Sequence, residues 1–554
     1  MIEDLWYKNS IIYSLDLETF MDANGDGIGD LPGLINRLDY LNSLGIDVLW
    51  LAPFQPSPNR DNGYDISDYY GVDPRYGSSG DFVELMNHAR KRGMRVILDL
   101  VVNHTSNQHP WFKEARRNPD SQYRDWYIWS KNRPADWNKG MVFPGVQKSV
   151  WTRDPVAKLY YHHRFFDFQP DLNMDNPHVR AEIRRIMGYW LQLGVDGFRV
   201  DAVPFILESK LKGERLRFEY LAELRQFLQW RAGDAALLGE ANVAPRDTQR
   251  YFGDGRDGLN MMFNFWVNQH CFYALATSDT APLEKALEET RNIPDSTQWA
   301  VFLRNHDELD IERLPKQKRD RVFERFGPQP NMQLYHRGIR RRLASMLGDR
   351  RHIELANSLM FALPGSPVLR YGDEIGMGED LSLKERGAVR TPMQWSSERN
   401  GGFSTARKLV NPVISKGPYG YQSVNVDAQR RDPGSLLNWM IKMIRVRKEC
   451  PEIGWGEWTL LRTGVRGVLG LCYSWRGNRI VVLHNFNRQP QQVKVTLEGE
   501  GSELLVNLLE TDDSRASKQG HHLIALTAFG YKWFRVGGMN YALRRQPATP
   551  PSKR

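Results

Sequence analysis

Gly197-Phe198-Arg199-Val200-Asp201, continued by Ala202 and Val203, is the stretch on which the fold turns. Phe198, Val200 and Ala202 alternate like the buried side of a strand, which leaves Arg199 and Asp201 two apart on the opposite side. Charge placed inside a sheet without a partner costs free energy. Two readings are open at this point: a structural Arg–Asp ion pair, or a strand that carries charge inward for chemistry.

The neighbouring sequence repeats one unit. Upstream, Ile11–Leu15 reads as a strand, and Leu34, Leu38, Leu41 and Leu44 form a helical stripe stopped by Gly45. The strand Asp47–Leu51 follows, then Phe82, Leu85, Met86 and Ala89 at helical spacing up to Gly93, then the apolar strand Arg95–Val102. A helix over Pro177–Leu193, stopped by Gly194, leads into Gly197–Val203, and a helix over Leu216–Trp230 leads to Ala236–Glu240. Leu259–Phe265, Trp299–Leu303 and Pro367–Tyr371 bring the strand count to eight. Eight strands alternating with helices predict an α/β fold, a (β/α)8 TIM barrel.

Two regions break the rhythm. Between Asn103 and Asp167 the chain is polar and rich in aromatics, and an insertion of that length is functional or a small domain of its own. Beyond about residue 455, Leu469, Leu471 and Tyr473 alternate, as do Val493, Val495 and Leu497, with turn residues between the runs. That pattern predicts an antiparallel β-sandwich. The expected organisation is a barrel over 1–102 and 168–450, an insertion at 103–167, a C-terminal sandwich at 451–538 and a disordered basic tail at 539–554.

With 554 residues, 41% hydrophobic and 25% charged, the chain is a globular protein with a large core. Its net charge of +9 is a mild excess of 75 basic over 66 acidic residues, and acids interleave the basic runs, so nucleic acid is not an expected partner. Three scattered cysteines give neither a disulfide framework nor metal-ligand spacing. No run approaches the roughly 18 to 20 apolar residues of a membrane span. A cytoplasmic protein that acts on a small molecule, with self-association left open, is the expectation.

Active sites of TIM barrels lie at the carboxyl ends of the strands. Those ends carry Asp99 with Asn103-His104, Arg199 with Asp201, Glu240, and Asn305-His306-Asp307. Several carboxylates at one mouth, without a Ser–His pair or a phosphate loop, point to glycosyl transfer through an oxocarbenium-like state.

Asp99–His104, Gly197–Asp201, Gly239–Asn242 and Arg304–Glu308 resemble, in order and strand placement, the four signature regions of the α-amylase family of retaining α-glycosidases. The resemblance implies Asp201 as nucleophile, Glu240 as general acid/base and Asp307 as the third acid. It also implies that His104, Arg199 and His306 hold the sugar, that 103–167 is the family's domain B and that the sandwich is its domain C. Asn62-Gly63-Tyr64-Asp65 is similar to the loop whose Tyr stacks on the sugar and whose Asp takes a hydroxyl. Arg390–Trp395 is similar to the segment whose Arg pairs with that Asp in exo-acting members, so Tyr64, Asp65 and Arg390 are expected at a pocket for one terminal glucose.

Asp22, Asn24, Asp26, Ile28 and Asp30 offer oxygens at alternate positions, suited to calcium or magnesium. Gly33 stands where an EF-hand needs Glu, and a metal-free Asx turn is the other reading. By resemblance alone, Asn103, Asp171 and Glu208, with the carbonyls of Phe205 and Ile206, form a second structural calcium site. Gln169–Asn173 resembles the branch of the family that contains oligo-1,6-glucosidases and trehalose synthases, and Phe302–Leu309, Gly338–Ala344 and Tyr419–Trp439 favour the latter. The activity implied is interconversion of maltose and trehalose through a glucosyl-enzyme, with some hydrolysis. The alternatives are an exo-acting α-glucosidase and a non-catalytic sugar-binding member.

Overall fold

The computed structural model describes residues 3–209, 216–499 and 501–537. Eight parallel strands close a barrel: β1 (Ile12–Leu15), β2 (Val48–Leu51), β3 (Arg95–Leu100), β4 (Gly197–Val200), β5 (Ala236–Gly239), β6 (Met261–Phe263), β7 (Gln298–Phe302) and β8 (Ser366–Arg370). Each strand pairs with its neighbours in sequence order, and β8 pairs with β1 through Ile12 and Val368. All eight expected strands are present, several shorter than their apolar runs. Phe265, for example, opens a helix capped by Asn264, whose side chain accepts from Val267 N.

Strand alternation divides the core in two. Ile12, Val48, Trp50, Ile97, Leu238, Phe263, Phe302 and Val368 fill the barrel interior. Tyr13, Leu49, Leu98, Phe198 and Val200 face outward against the surrounding helices. Because Phe198 and Val200 point out, Arg199 points in, and its guanidinium lies 5.3 Å from the Trp50 ring, only 1% exposed. The outer helices include Leu31–Leu44, capped by Asp30 and stopped by Gly45 in the left-handed conformation, and Ser79–Lys91, opened by a Ser78/Asp81 capping box.

Between β3 and β4, the aromatic-rich stretch folds around the helix Pro110–Arg117 and a small antiparallel sheet of Trp129–Ser130, Tyr160–His162 and Trp151–Arg153. After β7 an arm builds its own sheet, with Leu309–Asp310 pairing to Gly338–Ile339 and that to Gln333–Leu334. The arm meets the β3–β4 insertion where the rings of Phe143 and Tyr335 lie 4.7 Å apart. At the C-terminus a six-stranded antiparallel sheet and the pair Gln491–Thr496 with His521–Leu526 enclose Val481, Leu483, Val493, Val495, Ile524, Leu526 and Phe534. The expected tail at 539–554 lies outside the described residues. Among the described residues no helix is long and apolar enough to cross a membrane.

Candidate active site

Three strand ends converge on a single buried cation. Arg199 Nη1 lies 2.6 Å from Asp99 Oδ1 and 2.5 Å from Asp201 Oδ1, and its Nη2 lies 3.0 Å from Glu240 Oε2. The strand ends at Val200; Asp201 follows and Ala202 turns at φ 50°, a left-handed conformation rare for a residue with a Cβ. That turn aims the Ala202 N–H at Glu240 Oε2, 3.0 Å away. The local strain thus ties the two carboxylates to one frame.

Asp307 arrives from the end of β7 and is held differently. Arg390 Nη2 and Arg386 Nη1 meet its Oδ1 at 2.9 Å and 3.1 Å, and His306 Nε2 lies 3.3 Å from Oδ2. The Tyr64 hydroxyl lies 3.2 Å from Asp99 Oδ2 and 2.8 Å from His306 Nε2, and the two rings stack. His104 Nε2 bonds the Tyr64 carbonyl at 3.0 Å.

The electrostatics separate the acids. Burial pushes Glu240 up to about 7, with Asp201 and Asp307 adding to it against Arg199. Asp201 is pushed up to about 6, mainly by burial and then by Asp99 and Asp307, despite the pull of Arg199. Arg199 alone would hold Asp201 at a low pKa; burial outweighs the cation. Asp307 is buried too, but the guanidiniums of Arg386 and Arg390 drive it well below the usual range. His306 is kept neutral, chiefly by burial.

A cavity of about 570 Å³ opens over these groups. Asp201, Glu240, Asp307, Tyr64 and His104 line its floor, and Phe143, Phe165 and Phe205 form an aromatic wall. Asp65 and Arg390 do not meet there, contrary to the sequence expectation. Asp65 is fully buried in its own loop, where its carboxylate accepts from Ser57 Oγ, Arg60 N and Asp61 N. Arg390 stands behind Asp307, with its Nε donating to the His306 carbonyl.

The residues that do line the cavity are Asp61 and Arg386, each four positions upstream on the same loop. Asp61 accepts from Gln169 Nε2 at 2.9 Å, and burial pushes it up to about 6 against the pull of Arg386 and Arg390. Gly63 makes the turn between Asp61 and Asp65: it sits at φ 91°, and a Cβ there would lie 2.6 Å from the Pro53 carbonyl oxygen. Nothing in the linear pattern separates Asp61 from Asp65. Only the loop's fold does.

Among the described residues, no group of three or more His, Cys, Asp or Glu side chains converges as a metal-binding cluster. In the Asp22–Asp30 loop, Asp22 accepts from Gly25 N and Gly27 N, Asn24 from Asp26 N, Asp26 from Ile28 N, and Asp30 from Gly33 N. Its donors are oxygens alone, carrying three carboxylates, which fits a hard cation. The second set does not fit one. Glu208 Oε2 lies 2.5 Å from Arg164 Nη2, while Asp171 is engaged by His162 Nδ1 at 2.8 Å, Arg164 N at 3.0 Å and Asn103 Nδ2 at 3.0 Å. Phe205 and Ile206 lie in the short helix Val203–Leu207 beside it. Here a guanidinium cation takes Glu208 and the His162 ring takes Asp171, whereas the carboxylates of the Asp22–Asp30 loop are met chiefly by backbone amides.

Comparison with known proteins adds to this geometry. Residues 14–325 and 336–456 match the α-amylase catalytic domain, and 477–535 match the sucrose hydrolase-like C-terminal domain. The chain is 44% identical to a trehalose synthase of Thermus thermophilus, over 96% of its own length and 56% of that protein. It thus spans little more than half of that relative. It is 42% identical to the trehalose synthase/amylase TreS of Mycobacterium tuberculosis, covering 96% of this chain and 90% of the other. The trehalulose synthase MutB of Pseudomonas mesoacidophila superposes with a TM-score of 0.74 at 27% identity, over 96% of this chain and 99% of that one.

Proposed function

We infer that this chain, which belongs to the α-amylase family, is a maltose α-D-glucosyltransferase that interconverts maltose and trehalose within one enclosed site. The observation that carries this reading is the trio Asp201, Glu240 and Asp307 lining one cavity, two of them on a single guanidinium. The likeness to two trehalose synthases over 96% of the chain supports the choice of sugars.

In the proposed course, Asp201 attacks the anomeric carbon of the terminal glucose while Glu240 donates its proton to the departing oxygen. Asp307, the most acidic of the three, stays ionised and accepts hydrogen bonds from the sugar hydroxyls. Asp61 and Arg386 close the cavity at the far end of that glucose. The released glucose then turns and attacks through its anomeric hydroxyl, and Glu240 takes the proton back. Two successive displacements, each inverting the anomeric carbon, turn the α-1,4 linkage of maltose into the α,α-1,1 linkage of trehalose with net retention.

Incubation with maltose followed by sugar chromatography tests the reading. Trehalose as the main product supports it, and glucose alone overturns it in favour of an exo-acting α-glucosidase. Asp61→Ala is expected to lower kcat/KM by about 10²-fold, the loss typical of an unpaired buried recognition group, with no fall in Tm. Asp65→Ala is expected to lower Tm instead, because three donors lose their acceptor. Equal kinetic losses in both variants would contradict the assignment.

We further propose that the Asp22–Asp30 loop holds a structural divalent cation, calcium or magnesium, which would supply rigidity and no chemical step. Calcium at millimolar concentration is then expected to raise Tm, and Asp26→Ala to abolish that response. A response that survives in Asp26→Ala and disappears in Asp171→Asn would move the site to the second set. A reduced, cytoplasmic setting is supported by three free cysteines, of which Cys271 and Cys450 are buried.

A further inference from the structure

The acceptor half of the cavity is closed by a contact that the two-carboxylate mechanism does not use. Its walls are the loop after Glu240, which carries Asn242 and Val243, and the arm beyond β7, which carries Asp310, Glu312, Arg313 and Arg337. Arg313 spans from one wall to the other. Its Nε donates to the Asn242 carbonyl and to Asn242 Oδ1, each at 2.9 Å, and its Nη2 donates to the same carbonyl at 2.5 Å.

Both ends of this strap are anchored. At the arm end, Arg313 N donates at 3.0 Å to Gln269 Oε1, a fully buried side chain on the helix Phe265–Thr277 after β6. Asn242 Nδ2 reaches back to Asp310 Oδ2 at 3.1 Å, and Arg337 lies between Glu308, Asp310 and Glu312 at 3.1, 3.9 and 3.4 Å. The arm's own sheet holds its two ends together where Leu309 pairs with Ile339. Asn242 is two residues from Glu240, so the strap acts on the backbone that carries the general acid.

The glucosyl-enzyme has two fates. In one, the C1–O bond to Asp201 breaks as the anomeric oxygen of the retained glucose bonds to C1, and the proton of that hydroxyl passes to Glu240. In the other, a water oxygen bonds to C1 and loses its proton to Glu240 instead. The choice depends on how long the free glucose is kept and water kept out. We propose that Arg313 is a positioning residue that sets this partition, by fastening the loop of the general acid to the arm while the glucose turns.

The inference rests on the transfer reading above, and one experiment separates the two. The full chain, R313A and R313K are each given maltose, and trehalose and glucose are measured at low conversion, with Tm as a check of folding. The ratio of glucose to trehalose is expected to rise about fivefold in R313A, the scale set by removing one ordinary hydrogen bond, and to fall back toward the parent value in R313K. A ratio unchanged in R313A, with both products reduced together, would overturn the role of Arg313. Parent enzyme that yields glucose and no trehalose would overturn the transfer reading itself.

Discussion

Asp201→Asn is expected to lower turnover of maltose by at least about 10⁴-fold, because no other group in the cavity stands in for a missing nucleophile. The same change is expected to make the protein more stable at pH 7. Asp201 is pushed up to about 6 in the folded chain, above the ordinary carboxylate value near 4. Its contribution to stability is therefore fully present below about pH 4 and is lost as pH rises through 6. An amide does not titrate, so the variant escapes that loss, on the order of 1–2 kcal/mol. Kinetics on maltose and thermal unfolding at pH 5 and pH 7 check both halves. Loss of activity together with a lower Tm at pH 7 would instead mark Asp201 as part of a supporting ion-pair frame.

Glu240→Gln is expected to cut maltose turnover by about 10²- to 10⁴-fold, the range typical of a missing general acid. α-Glucosyl fluoride should be spared in the first displacement, since fluoride leaves without a proton. The parent enzyme should show a bell-shaped pH profile. Asp201 must be ionised, which sets the acidic limb near 6, and Glu240 must be protonated, which sets the basic limb near 7. The maximum falls between them, and the two groups titrate as a coupled pair. In Glu240→Gln the basic limb should vanish while the acidic limb stays. A basic limb that survives the substitution would assign it to another group, Asp310 among them, whose carboxyl burial also pushes up to about 6.

The barrel is readable in the chain because its strands are short apolar runs between glycine-stopped helices. Even the inward direction of Arg199 follows from the outward Phe198 and Val200. The acids at the strand ends are equally readable, since strand ends of a closed barrel share one mouth. Loops are where this kind of reading stops. Asp61 and Asp65 are chemically identical and four residues apart, as are Arg386 and Arg390. Which of each pair faces the cavity depends on turns such as Gly63 and on partners distant in sequence, among them Gln169. The second metal set fails for the same reason, because Arg164 takes Glu208 from a segment distant in sequence.

By itself, then, the chain specified the eight-stranded barrel, the order of its insertions and the three acids at one mouth. These follow from local periodicity and from the rule that parallel strands end together. The raised values of Asp201 and Glu240, the exchange of Asp65 for Asp61, the pairing of Glu208 with Arg164 and the strap from Arg313 to Asn242 depend on the folded structure. Each arises from burial or from a contact between segments far apart in sequence, and neither quantity is encoded in local spacing.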